Sequence, residues 1–200
     1  MKPHARIWGA PRELTPLRGV RIVSSLRAAT WRLRHGTMNI DATLSALNCH
    51  GIRYLLIGGV NYLLRHKPAL TFDVDIWIED TAANRSRCEQ ALADMGAEWG
   101  ATEAERGPVA RLPAGWLSRQ AVFCLSTPHG ALDVFRTVRG LSEWQASWTA
   151  GVPVRTAAGV ECRGLSDRDM LQCQVALPDS ERKNERIQTL QRAIEGGDHV

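Results

Sequence analysis

A chain of 200 residues can bury the core of one full domain, and 44% apolar with 23% charged residues is an ordinary globular composition. No stretch approaches the ~18 unbroken apolar residues of a membrane helix, which argues against a helical membrane protein. The net charge of +4 is unevenly spread: residues 1–37 set eight basic side chains against the single acid Glu13, a net of +7, while the other 163 residues hold 17 basic and 20 acidic side chains, a net of −3.

Residues 1–37 show no core pattern, with Pro3, Pro11 and Pro16 among Gly9 and Gly19. We expect a basic leader outside the fold: a disordered tail, or translation from an upstream start with Met38 as the true beginning. The basic amphipathic stretch Val20–Arg34 leaves three other readings open, an RNA-binding arm, a membrane-surface helix or a transit peptide. Residues 38–200 form the expected domain. Its cysteines (Cys49, Cys88, Cys124, Cys162, Cys173) lack C-x-x-C spacing and read as reduced thiols in a cytoplasmic protein.

The first predicted helix runs from Asn39, its cap, to Cys49, with Ile40, Leu44 and Leu47 on one face and Gly51 as its stop. Tyr54–Ile57 predicts a buried strand. Gly58-Gly59 breaks it, and Val60–Leu64 turns helical until Pro68. Thr71–Glu79 predicts a second strand, followed by a helix from Asn84 to Met95 that Gly96 ends. Residues 97–118, rich in Gly and Pro, predict loop and irregular strand. Ala121–Ser126 and Ala131–Phe135 flank Thr-Pro-His-Gly as a hairpin, Leu141–Trp148 reads as a short helix, and Val152–Thr156 with Val160–Arg163 as a second hairpin. Ser166 to Asp169 is a capping box that opens a helix to Leu177, and Pro178 separates it from a last helix, Asp179–Glu195. The order predicts an α/β (α+β) fold: a small mixed sheet flanked by helices, with further helices at the C-terminus.

The chemistry concentrates in two short segments. Asp73 and Asp75 alternate on a strand, so both carboxylates leave the same face, about 7 Å apart along the chain. Carboxylates so placed repel one another unless a cation lies between them, and Mg²⁺ prefers such oxygen ligands. Asp133 stands among apolar neighbours in Ala131–Phe135, a costly place for a lone acid. If its strand lies beside that of Asp73 and Asp75, the three acids form a cluster able to hold two metal ions. Gly58-Gly59, where a strand passes into a helix, lets backbone approach a phosphate at a helix N-terminus.

Thirteen residues separate Gly59 from Asp73, and Gly58-Gly59 followed by Thr71-x-Asp73-x-Asp75 resembles the signature of the nucleotidyltransferase superfamily with the DNA polymerase beta-type palm, in particular its abortive-infection-toxin and minimal nucleotidyltransferase branch. The resemblance spans about residues 39–195. It implies that Gly58 and Gly59 hold nucleotide phosphates, and that Asp73, Asp75 and Asp133 bind two Mg²⁺ ions and catalyse transfer of a nucleotide monophosphate from an NTP, such as ATP, to a hydroxyl. Many members carry Ser or Thr directly after the first glycine. Gly59 stands there instead, so no hydroxyl is expected at that point.

Lys67, between the motifs, and Arg182, Lys183 and Arg186, on the last helix, are candidate nucleotide-binding cations; a solvated loop accounts for Lys67 equally well, and a solvated helix face accounts better for the other three. His66 is a weaker candidate base. The seven tryptophans are expected to pack rather than line a base-stacking groove. The acceptor is expected to be RNA, such as a tRNA end, or protein, with a small molecule as a further choice. The body's net charge weighs against a large nucleic-acid footprint. The competing reading is a catalytically silent fold acting as a toxin–antitoxin binding module with an antitoxin-like protein partner.

Overall fold

The computed structural model describes residues 38–102 and 104–197; the expected leader, residues 1–37, lies outside the described residues. The elements in chain order are α1 (Ile40–Cys49), β1 (Tyr54–Ile57), α2 (Gly58–Arg65), β2 (Asp73–Ile78), α3 (Ala82–Asp94), β3 (Glu98–Trp99), β4 (Gly107–Pro108), β5 (Val122–Thr127), β6 (Gly130–Phe135), α4 (Trp144–Ala150), β7 (Val152–Arg155), β8 (Glu161–Gly164), α5 (Asp167–Val175) and α6 (Asn184–Gly197).

The caps act as their residue types require. Asn39 Oδ1 accepts from the Ala42 amide at 3.0 Å, and Ser166 Oγ accepts from the Asp169 amide at 3.2 Å, each satisfying a helix-end donor. Thr81 Oγ1 does the same for the Asn84 amide, which moves the start of α3 ahead of the expected Asn84.

All eight strands join one mixed sheet in the order β4-β3-β5-β6-β2-β1-β8-β7. The hairpins β5–β6 and β7–β8 are antiparallel, as is β1–β2, whereas β2 runs parallel to β6 and β1 to β8. Strand alternation then separates two cores. Leu56, Val74, Ile76, Leu132 and Val134 face α1 and α3, where Leu44, Leu47, Cys88 and Leu92 are fully buried. On the opposite face Leu55, Ile57 and Trp77 pack with Tyr62 of α2, Met170 of α5 and Leu190 of α6. Asp73 and Asp75 share this second face, because they alternate with Val74 and Ile76.

Two stretches differ from expectation. The last helix begins at Asn184 rather than Asp179: after Pro178 the chain makes a tight 3-10 turn, Asp179–Glu181, and Arg182 is extended. The guanidinium of Arg182 folds back onto the carbonyls of Leu177 (2.8 Å) and Val175 (2.7 Å), so it closes the end of α5 instead of continuing a helix. Residues 97–119, by contrast, are the expected loop and irregular strand: two two-residue strands and two 3-10 turns, too short to leave a period in the sequence. The α4 helix starts at Trp144, where Trp144 Nε1 donates to the Trp77 carbonyl at 3.2 Å. The described tryptophans pack on neighbours: Trp144 stacks on Trp148 at 4.9 Å, and Trp99, Trp116 and Phe123 form one aromatic cluster. The five cysteines are free thiols.

Candidate active site

Parallel pairing of β2 with β6 places Asp75 directly opposite Asp133, with Asp73 opposite Ala131. One carboxylate oxygen from each of Asp73, Asp75 and Asp133 lies within 4.8 Å of the others. The three acids named from the sequence therefore meet on one face, at the edge where β1 ends and α2 begins. Burial of the Asp75 carboxyl, and then the neighbouring charges of Asp73 and Asp133, push its pKa well above the usual carboxylate range. The Gly59 amide, which donates to Asp75, and the charge of Arg186 offset part of this. A set of carboxylate oxygens held this close, at the cost of mutual repulsion, fits a hard divalent cation.

The glycines have a definite local cause. Gly58 has φ +67°, a backbone region that favours glycine, and a Cβ there would lie 1.9 Å from Asp75 Oδ2. A Cβ on Gly59 would lie 2.3 Å from Thr71 Oγ1. The turn is thus pressed against the acid cluster and the residue that precedes it, so the space a side chain would take belongs to Asp75 and Thr71. The Thr71 hydroxyl is within reach of Asp73 Oδ1 at 3.2 Å. A hydroxyl does stand beside Gly59 after all, contributed by Thr71 across the turn.

The candidate cations fall into two groups. Lys67 pairs with Glu185 on α6, and Arg182 pairs with Asp179 at 2.6 Å besides closing α5. The Lys183 amide donates to Gln174 Oε1 at 3.2 Å, and residues 182 and 183 precede α6 rather than riding on it. The cation that faces Asp75 is Arg186, in the first turn of α6. It is only 9% exposed, and its guanidinium lies 4.6 Å above the Tyr62 ring. Tyr62 itself is buried, and its hydroxyl has no hydrogen-bond partner among the described residues. The sequence grouped Arg186 with Arg182 and Lys183; the signal that separates it is its place one turn before Leu190, on the buried face of α6. His66 is tied to Asp167 at 2.9 Å, and Arg65 reaches the same carboxylate at 2.8 Å, so this pair clamps α2 to the start of α5.

No family model matches the chain, and no curated protein matches it by sequence. Solved structures do match by shape. The lincosamide antibiotic adenylyltransferase LnuA, with lincomycin bound, superposes with a TM-score of 0.52 at 15% identity, over 78% of this chain and 98% of that one. ANT(2")-Ia in complex with adenylyl-2"-tobramycin superposes with a TM-score of 0.48 at 13% identity, over 77% and 84% of the two chains. No helix among the described residues is long and apolar enough to cross a membrane. At these identities the likeness is one of architecture, and the architecture of this chain is the nucleotidyltransferase fold.

Proposed function

We propose that the protein is a Mg²⁺-dependent nucleotidyltransferase that moves a nucleotide monophosphate from an NTP to a hydroxyl acceptor. The observation that carries this reading is the meeting of Asp73, Asp75 and Asp133 within 4.8 Å beside a glycine turn at the start of a helix. A divalent ion bound by these acids would polarise the attacking hydroxyl and offset charge on the departing pyrophosphate. The roles of the chain follow from where its groups stand. Asp73, Asp75 and Asp133 supply oxygen ligands from two rigid neighbouring strands. The first turn of α2 offers backbone donors and a favourable dipole to phosphate. Arg186 adds a fixed positive charge on the side of α6. In the reaction the acceptor oxygen bonds to the α-phosphorus as the bond between the α- and β-phosphates breaks. Pyrophosphate leaves, and the hydroxyl proton passes to a carboxylate of the cluster.

The acceptor belongs to one of three classes: an RNA such as a tRNA end, a protein hydroxyl, or a small hydroxylated molecule of the kind bound in LnuA. The net charge of −3 outside residues 1–37 weighs against RNA. The persistence of all three acids in one cluster weighs against a silent fold. Incubating the protein with Mg²⁺, radiolabelled NTPs and each acceptor class separately tests the reading. Label on one class, absent in the Asp73→Asn, Asp75→Asn double variant, supports it; label that persists in that variant, or no label together with no Mg²⁺–NTP binding, sinks it.

A further inference from the structure

We propose that Thr71 is a nucleotide-positioning residue whose hydroxyl, placed against the bare backbone of Gly59, donates to a phosphate of the bound nucleotide. The inference rests on the reading of the acid cluster as a nucleotide site.

Three observations converge on it. Thr71 Oγ1 lies 2.3 Å from the point a Cβ of Gly59 would occupy, and Thr71 Cβ lies 2.7 Å from it. The hydroxyl therefore fills the volume in which a short side chain at position 59 would project, at the first turn of α2. The same hydroxyl stands 3.2 Å from Asp73 Oδ1 and 3.4 Å from the Asp73 carbonyl, so it sits between the phosphate-facing turn and the acid cluster. Both distances are long for an O–H donor, whose usual range centres near 2.7–2.8 Å. Such a donor is loosely held by its present acceptors and gains by turning to a better one. A phosphate oxygen serves as that acceptor: it is charged like the Asp73 carboxylate, but free to approach to the short range of charge-assisted bonds while the carboxylate is engaged by the cation. Gly59 and Thr71 thus form a matched pair: the absence of a side chain at 59 is what admits the hydroxyl from 71.

The pairing makes a reciprocal prediction. Thr71→Val keeps the shape and removes the donor. It weakens binding of a non-hydrolysable NTP analogue in the presence of Mg²⁺ by about tenfold, the equivalent of one charge-assisted hydrogen bond. Thr71→Ser retains the affinity. Gly59→Ser alone drives a new Cβ into Thr71 and weakens binding, as Thr71→Gly does by loss of the hydroxyl. The double variant Gly59→Ser, Thr71→Gly restores a hydroxyl from the other side of the turn and binds the analogue more tightly than either single variant.

The experiment measures two affinities for each protein: Mn²⁺ alone by electron paramagnetic resonance, and the analogue by calorimetry. The expected result is a loss confined to the analogue in Thr71→Val, with recovery in the double variant. An equal loss of Mn²⁺ affinity in Thr71→Val would assign the hydroxyl to holding Asp73 and overturn the proposal, as would a Thr71→Val protein that binds the analogue like its parent. A parent protein that binds neither probe would remove the underlying site reading instead, and this inference with it.

Discussion

Gly58 and Asp75 are packed so closely that a single added carbon on the glycine would lie 1.9 Å from the carboxylate oxygen Oδ2. The contact joins the end of β1 to the middle of β2, and it explains why a glycine stands where the chain leaves the strand. The backbone angle of +67° adds a second requirement for glycine at the same point.

Gly58→Ala therefore displaces Asp75 from the cluster or unwinds the first turn of α2. We expect a stability loss of about 2 kcal/mol or more, from strained backbone together with overlap in a packed region. Divalent-ion binding falls with it. Thermal melts in EDTA, and Mn²⁺ titrations at a temperature where the variant stays folded, separate the two effects.

The raised pKa of Asp75 fixes the sign of a pH dependence. In the metal-free protein the folded state holds this proton to higher pH than the unfolded chain does, so the contribution of Asp75 to stability is full below the ordinary carboxylate range and is lost as pH rises from there through its raised folded pKa. Asp75→Asn removes that decline and is more stable than the parent at neutral pH in EDTA. Saturating Mg²⁺ flattens the parent's profile, because bound cations favour the ionised cluster. Melting temperatures between pH 5 and 9, with and without Mg²⁺, check both statements.

Arg186 opposes the cluster from α6 while stacking on Tyr62. Arg186→Met keeps much of the packing but removes a buried charge next to Asp75. We expect nucleotide affinity to drop by about tenfold, as for loss of one charged contact. Metal affinity measured without nucleotide should rise, since a competing cation has gone. A variant that lost both affinities alike would show Arg186 to be a packing residue only.

The acid pair was legible in the sequence because strand alternation alone sends Asp73 and Asp75 to one face. The place of Asp133 depended on β6 lying beside β2, and no local pattern reports a parallel pairing between residues 58 apart, as Asp75 and Asp133 are. The cations were harder to read. Arg182, Lys183 and Arg186 look alike when a helix is drawn from Asp179, but the chain before Asn184 is turn and extended backbone, so only Arg186 rides on α6 and shares the buried side with Leu190. Thr71 was visible as the first residue of the Thr71-x-Asp73-x-Asp75 pattern, but its nearness to Gly59 exists only once α2 has folded back across the start of β2. The caps at Asn39 and Ser166 were readable because their donors are three residues away, within one turn.

The measurement closest to the central claim is transfer of label from α-phosphate-radiolabelled NTPs in the presence of Mg²⁺, with total RNA, protein extract and a panel of small hydroxylated molecules as separate acceptors. The account predicts that one acceptor class gains label from the parent protein, that pyrophosphate appears in equal amount, and that Asp73→Asn, Asp75→Asn abolishes both. Label that persists undiminished in that double variant, or a parent protein that transfers nothing and binds no Mg²⁺–NTP, would contradict it.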